Sequence, residues 1–167
     1  DGFQITNFYW RQRLFEGRLS FMAGLLDATD YVDVYALASP WTGFINFAFS
    51  TGSEAIYIPN EAALGFAIAG YATKNIYLKG SLIDAGADPA QPWKSFETFF
   101  TNNDYFKSIE VGYVSAPENF LYDNIHLTFW HSDGSVVTGA KSGWGLAFSG
   151  TWSLGEKWMP FLRGGYA

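Results

Sequence analysis

Cysteine is absent from the 167 residues, which excludes a disulfide framework and any thiolate-bound metal. Basic residues are scarce: Lys and Arg total 10 against 16 Asp and Glu, giving a formal net charge of −6. That balance argues against a nucleic-acid partner, because phosphate recognition draws on a surplus of Lys and Arg. No apolar run reaches the roughly 18 to 20 residues a membrane-crossing helix needs. The longest, 62–72, lies between Glu61 and Thr73 and has the length of a tilted transmembrane strand, for which about 9 to 11 residues suffice. The opening residues DGFQITNFYW carry no initiating Met, charged start or apolar stretch, so an exported protein would have its signal upstream of them.

Catalytic patterns are missing as well. His126 and His131 form no H-E-x-x-H pair, G-x-S-x-G does not occur, and 143–145 reads as strand rather than phosphate loop. The expectation is a protein that is not an enzyme and carries no cofactor or metal.

What the chain has is alternation, with 20% aromatic residues and 18 glycines. In 18–26, Leu19, Phe21, Ala23 and Leu25 share one side and Arg18, Ser20, Met22 and Gly24 the other, the pattern of a strand with one apolar face. In 62–72 it sets Leu64, Phe66 and Ile68 together, and in 76–82 it opposes Leu78 and Leu82 to Lys79 and Ser81. Ile109, Val111 and Tyr113 align in 105–114, and Ile125, Leu127 and Phe129 in 124–132. The pattern is cleanest in 143–152, where Trp144, Leu146, Phe148 and Trp152 oppose Gly143, Gly145, Ala147, Ser149 and Thr151. A less regular strand at 3–14 and a shorter one at 160–167 bring the total to about eight, most near the length of a barrel strand.

Connections between strands alternate short and long: 15–17 then 27–60, 73–75 then 83–104, 115–123 then 133–142, with 155–157 closing the last pair. Tight turns on one rim and long loops on the other is the asymmetry of outer-membrane barrels. A short helix is expected at 95–101, and 39–49 reads either as a helix or as a loop folded into the barrel. Aromatics gather near strand ends, Tyr71, Tyr77, Tyr113, Trp152 and Trp158 toward the short-turn rim and Tyr105 and Trp144 toward the other, as side chains with one apolar and one wet end do at a bilayer interface. The plainer reading, a soluble sheet with these rings in its core, is the commoner fate of an alternating strand. Against it stand the sorted loops and polar faces rich in Gly, Ser, Thr and charge.

GWGLAFSGTWSLGEKWMPFLRGGYA (143–167) resembles the carbohydrate-selective porins of Gram-negative outer membranes, the OprB-type family. FYWRQRLFEGRLSFMAGLLDATDYVD (8–33), LGFAIAGYATKNIYLKGSLIDAGAD (64–88), YFKSIEVGY (105–113) and NIHLTFWHSD (124–133) resemble successive strand pairs of the same family. The resemblance implies passive diffusion of sugars and other small polar solutes through a monomeric barrel of about sixteen strands set in outer-membrane lipid. The expected fold is therefore all-β, an antiparallel transmembrane β-barrel of the porin type. Residues 1–167 would supply a single partial domain of about eight strands, lacking the signal peptide and the terminal strands, with short helices in the long outer loops.

By alternation, the water-facing side carries Arg18, Lys79, Glu110, His126, Trp130 and Arg163, with Arg11 and Arg13 on a strand of ambiguous register. Such groups can replace the water hydrogen bonds a polyol sheds in a constriction, and an Arg facing a Glu would clamp one. Each charge also reads as a solvated or cross-strand-paired wall residue. Trp130 stands out as a stacking platform, since a large ring among Asn, His, Thr and Ser lacks an obvious packing reason. Asp27, Asp30, Asp33, Asp84 and Asp88 read as solvated charges on the long-loop rim, because no calcium-loop spacing appears. Two other classes fit the pattern less well: a complete eight-stranded outer-membrane barrel acting as an adhesin or structural protein, and a soluble all-β sugar-binding module.

Overall fold

The computed structural model describes residues 5–46, 49, 52, 55–59, 62–88, 90–136, 139 and 141–167. Among them the chain forms eight strands: β1 (Phe8–Leu14), β2 (Leu19–Leu26), β3 (Ala63–Tyr71), β4 (Ile76–Asp84), β5 (Tyr105–Val114), β6 (Asn124–Ser132), β7 (Gly143–Thr151) and β8 (Phe161–Tyr166). One α-helix, α1 (Ser95–Thr101), falls on the segment the sequence marks for it. The strands pair in chain order, each antiparallel to the next, in a single sheet. It is open: β1 and β8 each pair on one side only.

Sequence alternation becomes face alternation, most cleanly in β5, β6 and β7, where every second residue is buried. Which face is buried is the reverse of a soluble sheet. Ile109, Val111, Tyr113, Ile125, Leu127, Phe129, Trp144, Leu146 and Phe148 are exposed, Ile109 to 63%, whereas Glu110, His126, Thr128 and Ser149 are buried, Glu110 to 2%. We call the polar side the inward face.

The inward face is covered by the long β2–β3 connection. Ala28, Val32 and Ile56 of that loop form one apolar cluster with Ala63, Ile83, Phe106, Trp130 and Ala147 from five strands. Full burial of a side chain such as Val32 or Ile56 contributes roughly 1.5 to 3 kcal/mol, enough to hold a loop whose backbone would otherwise favour water. Further along, Phe44 and Phe49 pack on Phe161 with ring centroids 5.4 and 6.5 Å away. Residues 39–46 form turns and bends with no α-helix, and Phe49 lies in a 3-10 turn; 47 and 48 of the expected 39–49 segment lie outside the described residues.

Helix α1 instead packs on the outward face at the long-loop rim, where Phe99 joins Leu25 and Leu64 and meets the Phe66 ring at 5.8 Å. Asp84 anchors it, accepting hydrogen bonds from Ser95 Oγ at 2.8 Å, from Thr98 Oγ1, and from the Gly86 N–H at 2.9 Å.

Several boundaries differ from expectation. β1 starts at Phe8; residues 3 and 4 of the expected 3–14 strand lie outside the described residues, and Asn7 turns from the ladder to bond the loop, accepting from the Asp27 N–H and donating to Asp30. β4 continues past 82 because Ile83 and Asp84 still pair with Phe106 and Tyr105. β7 stops at Thr151, after which the Trp152 ring stacks on Tyr113. The loop asymmetry is strong in the first half, where 15–18 and 72–75 contrast with 27–62 and 85–104, and weak in the second, where 115–123, 133–142 and 152–160 are alike.

Candidate functional site

The sheet register places all eight sequence-selected residues on the inward face in three adjacent cross-strand rows. One row runs Arg11, Met22, Ala67, Ser81, Ser108, Trp130, Gly145. The next runs Arg13, Ser20, Ala69, Lys79, Glu110, Thr128, Ala147, Gly165. The third runs Tyr71, Tyr77, Gly112, His126, Ser149, Arg163, with Arg18 beside Tyr71 through its carbonyl, 2.9 Å from the Tyr71 N–H. Arg11 and Arg13, on the strand of ambiguous register, therefore face the same side as the rest.

Glu110 is one hub of these rows. Its carboxylate meets Lys79 Nζ at 2.8 Å across the β4–β5 ladder and accepts from the Tyr77 hydroxyl at 2.6 Å, from Thr128 Oγ1 at 3.2 Å and from the Asp33 N–H at 3.0 Å. Lys79 also donates to the Tyr31 carbonyl at 2.7 Å. Asp33 is the second hub, delivered by the loop to the middle of the face. It accepts from His126 Nε2 at 2.9 Å, from the Gly52 N–H at 2.9 Å and from Arg163. The other ring nitrogen of His126 lies 3.0 Å from Asn124 Oδ1, and Asn124 Nδ2 donates to the Phe120 carbonyl. Both imidazole nitrogens thus lie within hydrogen-bond distance of side-chain oxygens on either side of the ring. Two carboxylates, two permanent cations and this histidine clamp the loop to β4, β5, β6 and β8.

Three sequence-based expectations are corrected here. Trp130 has a packing reason: it is fully buried, donates from Nε1 to the Ala55 carbonyl at 2.8 Å and packs on Tyr57 at 5.0 Å, so its ring meets the loop rather than a solute. No Arg forms an ion pair with a Glu among the described residues; Glu110 pairs with Lys79 and Arg163 with Asp33. Asp33 and Asp84 are not solvated rim charges but have no exposure at all. Asp27, Asp30 and Asp88 do sit on loops, where Asp27 caps Thr29 and Asp88 caps Ala90. Burial and the neighbouring Asp27 charge raise the Asp30 carboxyl above its ordinary range, and burial likewise raises the Tyr31 phenol.

Tyr77 also departs from its expected place among interface aromatics. It lies flat on the inward face in space left by Gly112, where a Cβ would overlap its ring. Tyr71 follows it inward, whereas Tyr113, Trp144 and Trp158 are exposed. The sequence signal for this is parity: Tyr77 is two residues from Lys79 and belongs to its face. Asp33 carries no such signal, because it meets His126 across 93 residues only once the loop folds back.

Between the covered part of the face and β1 lies an open cavity of about 620 Å³. Arg11, Arg13, Lys79, Ser81 and Ser108 line it from the strands, Arg18 from the β1–β2 turn, and Asp27, Asp30 and Tyr31 from the loop. That is the size range of small-molecule sites, about 300 to 1,000 Å³. Among the described residues no group of His, Asp or Glu is arranged to hold a metal ion.

No protein-family model, curated protein or solved structure matches the chain.

Proposed function

We propose that this sheet is part of the wall of an outer-membrane porin, with the apolar face against lipid and the inward face bordering a water-filled passage for sugars and other small polar solutes. The observation that carries the reading is the inverted sheet: exposed Ile, Leu, Val, Phe and Trp on one side, charged and hydroxylic residues on the other. In water such a face is an aggregation hazard; in a bilayer it is required. Strand length agrees. The nine residues of β6 or β7 extend about 31 Å at 3.4 Å each, which at a tilt near 40° rises about 23 Å, close to the roughly 25 Å apolar band of such barrels. Exposed Tyr113, Trp144 and Trp158 lie near the band's edges. The free edges of β1 and β8 are where further strands add to close the wall, since a lipid-facing edge cannot stay unpaired.

In this reading the described parts of the β2–β3 connection are a constriction folded into the passage, and the protein performs no bond chemistry. The carbohydrate-selective family is the proposed relationship, by the motifs quoted above. The test is reconstitution of the full chain in liposomes with spin labels at Leu127, Phe148 and Ser81. A lipid-soluble relaxer should reach the first two and a water-soluble one the third, and arabinose should enter the vesicles. Labels at Leu127 and Phe148 that respond only to the aqueous relaxer would overturn the assignment.

A further inference from the structure

Charge on the inward face is of two kinds. Lys79 is matched by Glu110, and Arg163 by Asp33. Arg11, Arg13 and Arg18 are matched by nothing: among the described residues none of them forms an ion pair or donates a side-chain hydrogen bond. All three line the 620 Å³ cavity. Arg11 and Arg13 are two residues apart on β1, about 7 Å, and Arg18 stands one row further on. The acids in the same cavity do not answer them. Glu110 is already saturated by Lys79, Tyr77 and Thr128. Asp27 and Asp30 sit at the loop end, bonded to Thr29 and Asn7.

We infer that this arginine wall takes the anionic group of a charged sugar, so that the passage favours acidic monosaccharides over neutral ones. The inference rests on the porin reading and names its solute. A neutral polyol is served by any hydroxyl or amide and leaves three like charges uncompensated, whereas a carboxylate or phosphate on the sugar answers a guanidinium fork through two parallel hydrogen bonds. Exposure keeps each contact weak, which transit requires. Spacing of about one sugar ring lets the anion pass from Arg11 to Arg13 to Arg18 without crossing an uncharged gap. Ser81 and Ser108, whose hydroxyls are 2.6 Å apart on the facing wall, are placed to meet the sugar's own hydroxyls.

The experiment compares glucuronate, glucose and glucosamine, which are similar in size and differ in charge, entering liposomes of zwitterionic phosphatidylcholine that contain the full chain. Omitting anionic lipid removes headgroups as competing ligands. Glucuronate should enter fastest, at least about fivefold ahead of glucosamine, the factor for one unpaired charge at contact in water. In the Arg11→Gln/Arg13→Gln/Arg18→Gln variant the ratio should fall to near one. Should the triple variant fail to fold, Arg13→Gln alone should lower the ratio measurably. Glucose entering as fast as glucuronate, or a ratio indifferent to the arginines, overturns the inference and leaves the porin reading standing. If no sugar enters, the porin reading falls, and glucuronate titration of the detergent-solubilised protein decides the anion site. Binding that exceeds that of glucose and is lost in the variant upholds the site, and its absence overturns it.

Discussion

Asp33→Asn deletes one negative charge from the middle of the inward face and changes little else. Asp33 has φ of 52°, a left-handed backbone that Asn tolerates and Ala does not, so the amide preserves conformation and shape while the ion pairs disappear. The carboxylate is fully buried, as is its partner His126, while Arg163 keeps 16% exposure. Removing one member of a buried pair costs about 3 to 5 kcal/mol. Because Arg163 can recover some water, the lower end, about 3 kcal/mol, is the expected loss. That loss falls on the loop rather than the sheet, since the ladders of β4 to β8 do not pass through Asp33. Local opening should therefore become roughly a hundredfold more populated, while global unfolding shifts less. Hydrogen exchange reads this directly: the Gly52 N–H, bonded to Asp33, and the Ile56 N–H, bonded to the Gly52 carbonyl, should exchange about two orders of magnitude faster, with Val111 and Leu127 unchanged. On the proposed porin reading, the same variant reconstituted in a bilayer should conduct more, and more noisily. Exchange at Gly52 and Ile56 within threefold of the parent would refute the claim that this ion cluster, and not only the apolar contacts of Val32 and Ile56, pins the loop.

Three further outcomes follow from the same contacts. Gly112→Ala should destabilise by about 1 to 3 kcal/mol, the usual range for an overpacked core, because its Cβ displaces Tyr77 from Glu110; chemical denaturation in detergent measures it, and a loss under about 0.5 kcal/mol contradicts the packing. Leu127→Arg on the exposed face should cost about 2 to 4 kcal/mol in lipid if it sits near the bilayer midplane but under about 0.5 kcal/mol if that face meets water, so folding titrations in vesicles separate the two. Asp123 accepts from the Ser153 N–H and the Ser115 hydroxyl, which hold its carboxyl below the usual range. A depressed carboxyl stabilises fully above its unfolded value near 3.9 and loses that contribution as pH falls through its lower folded value. Asp123→Asn should therefore flatten the acid limb of the melting temperature below about pH 4 and leave the neutral range nearly parallel to the parent.

Parity is the legible part of this protein. A period of two, counted from any secure residue, assigns faces correctly along β5, β6 and β7, and residue numbers alone set Lys79, Glu110, His126 and Arg163 on one side. Expectation and fold part company where residue type overrides parity: a tyrosine near a strand end suggests an interface aromatic, yet the number of Tyr77 puts it with Lys79. For Trp130 alternation gives the right face but not the neighbour. The polar strand around it supplies no packing partner, and Ala55 and Tyr57 arrive only through the loop. Both departures have one cause, that local pattern reports which side a side chain leaves from and is silent about what covers that side.

That silence is greatest at Asp33 and matters most for function. A buried carboxylate costs several kcal/mol to desolvate, so Asp33 and Glu110 are tolerable only because the sheet holds partners at matching heights, the Lys79 cation by direct cross-strand register and the Arg163 cation and the His126 ring one row away. The loop and the face are consequently complementary halves of one charge-balanced surface, and either half alone is unfavourable. The same matching explains why the three arginines near β1 differ from the other cations. Among the described residues no loop acid is delivered to them, they remain exposed, and each pays no desolvation cost for waiting without a partner. A surface meant only to be covered would neutralise them as it neutralises Arg163. Leaving them open is the arrangement expected where the missing anion arrives from solution and leaves again.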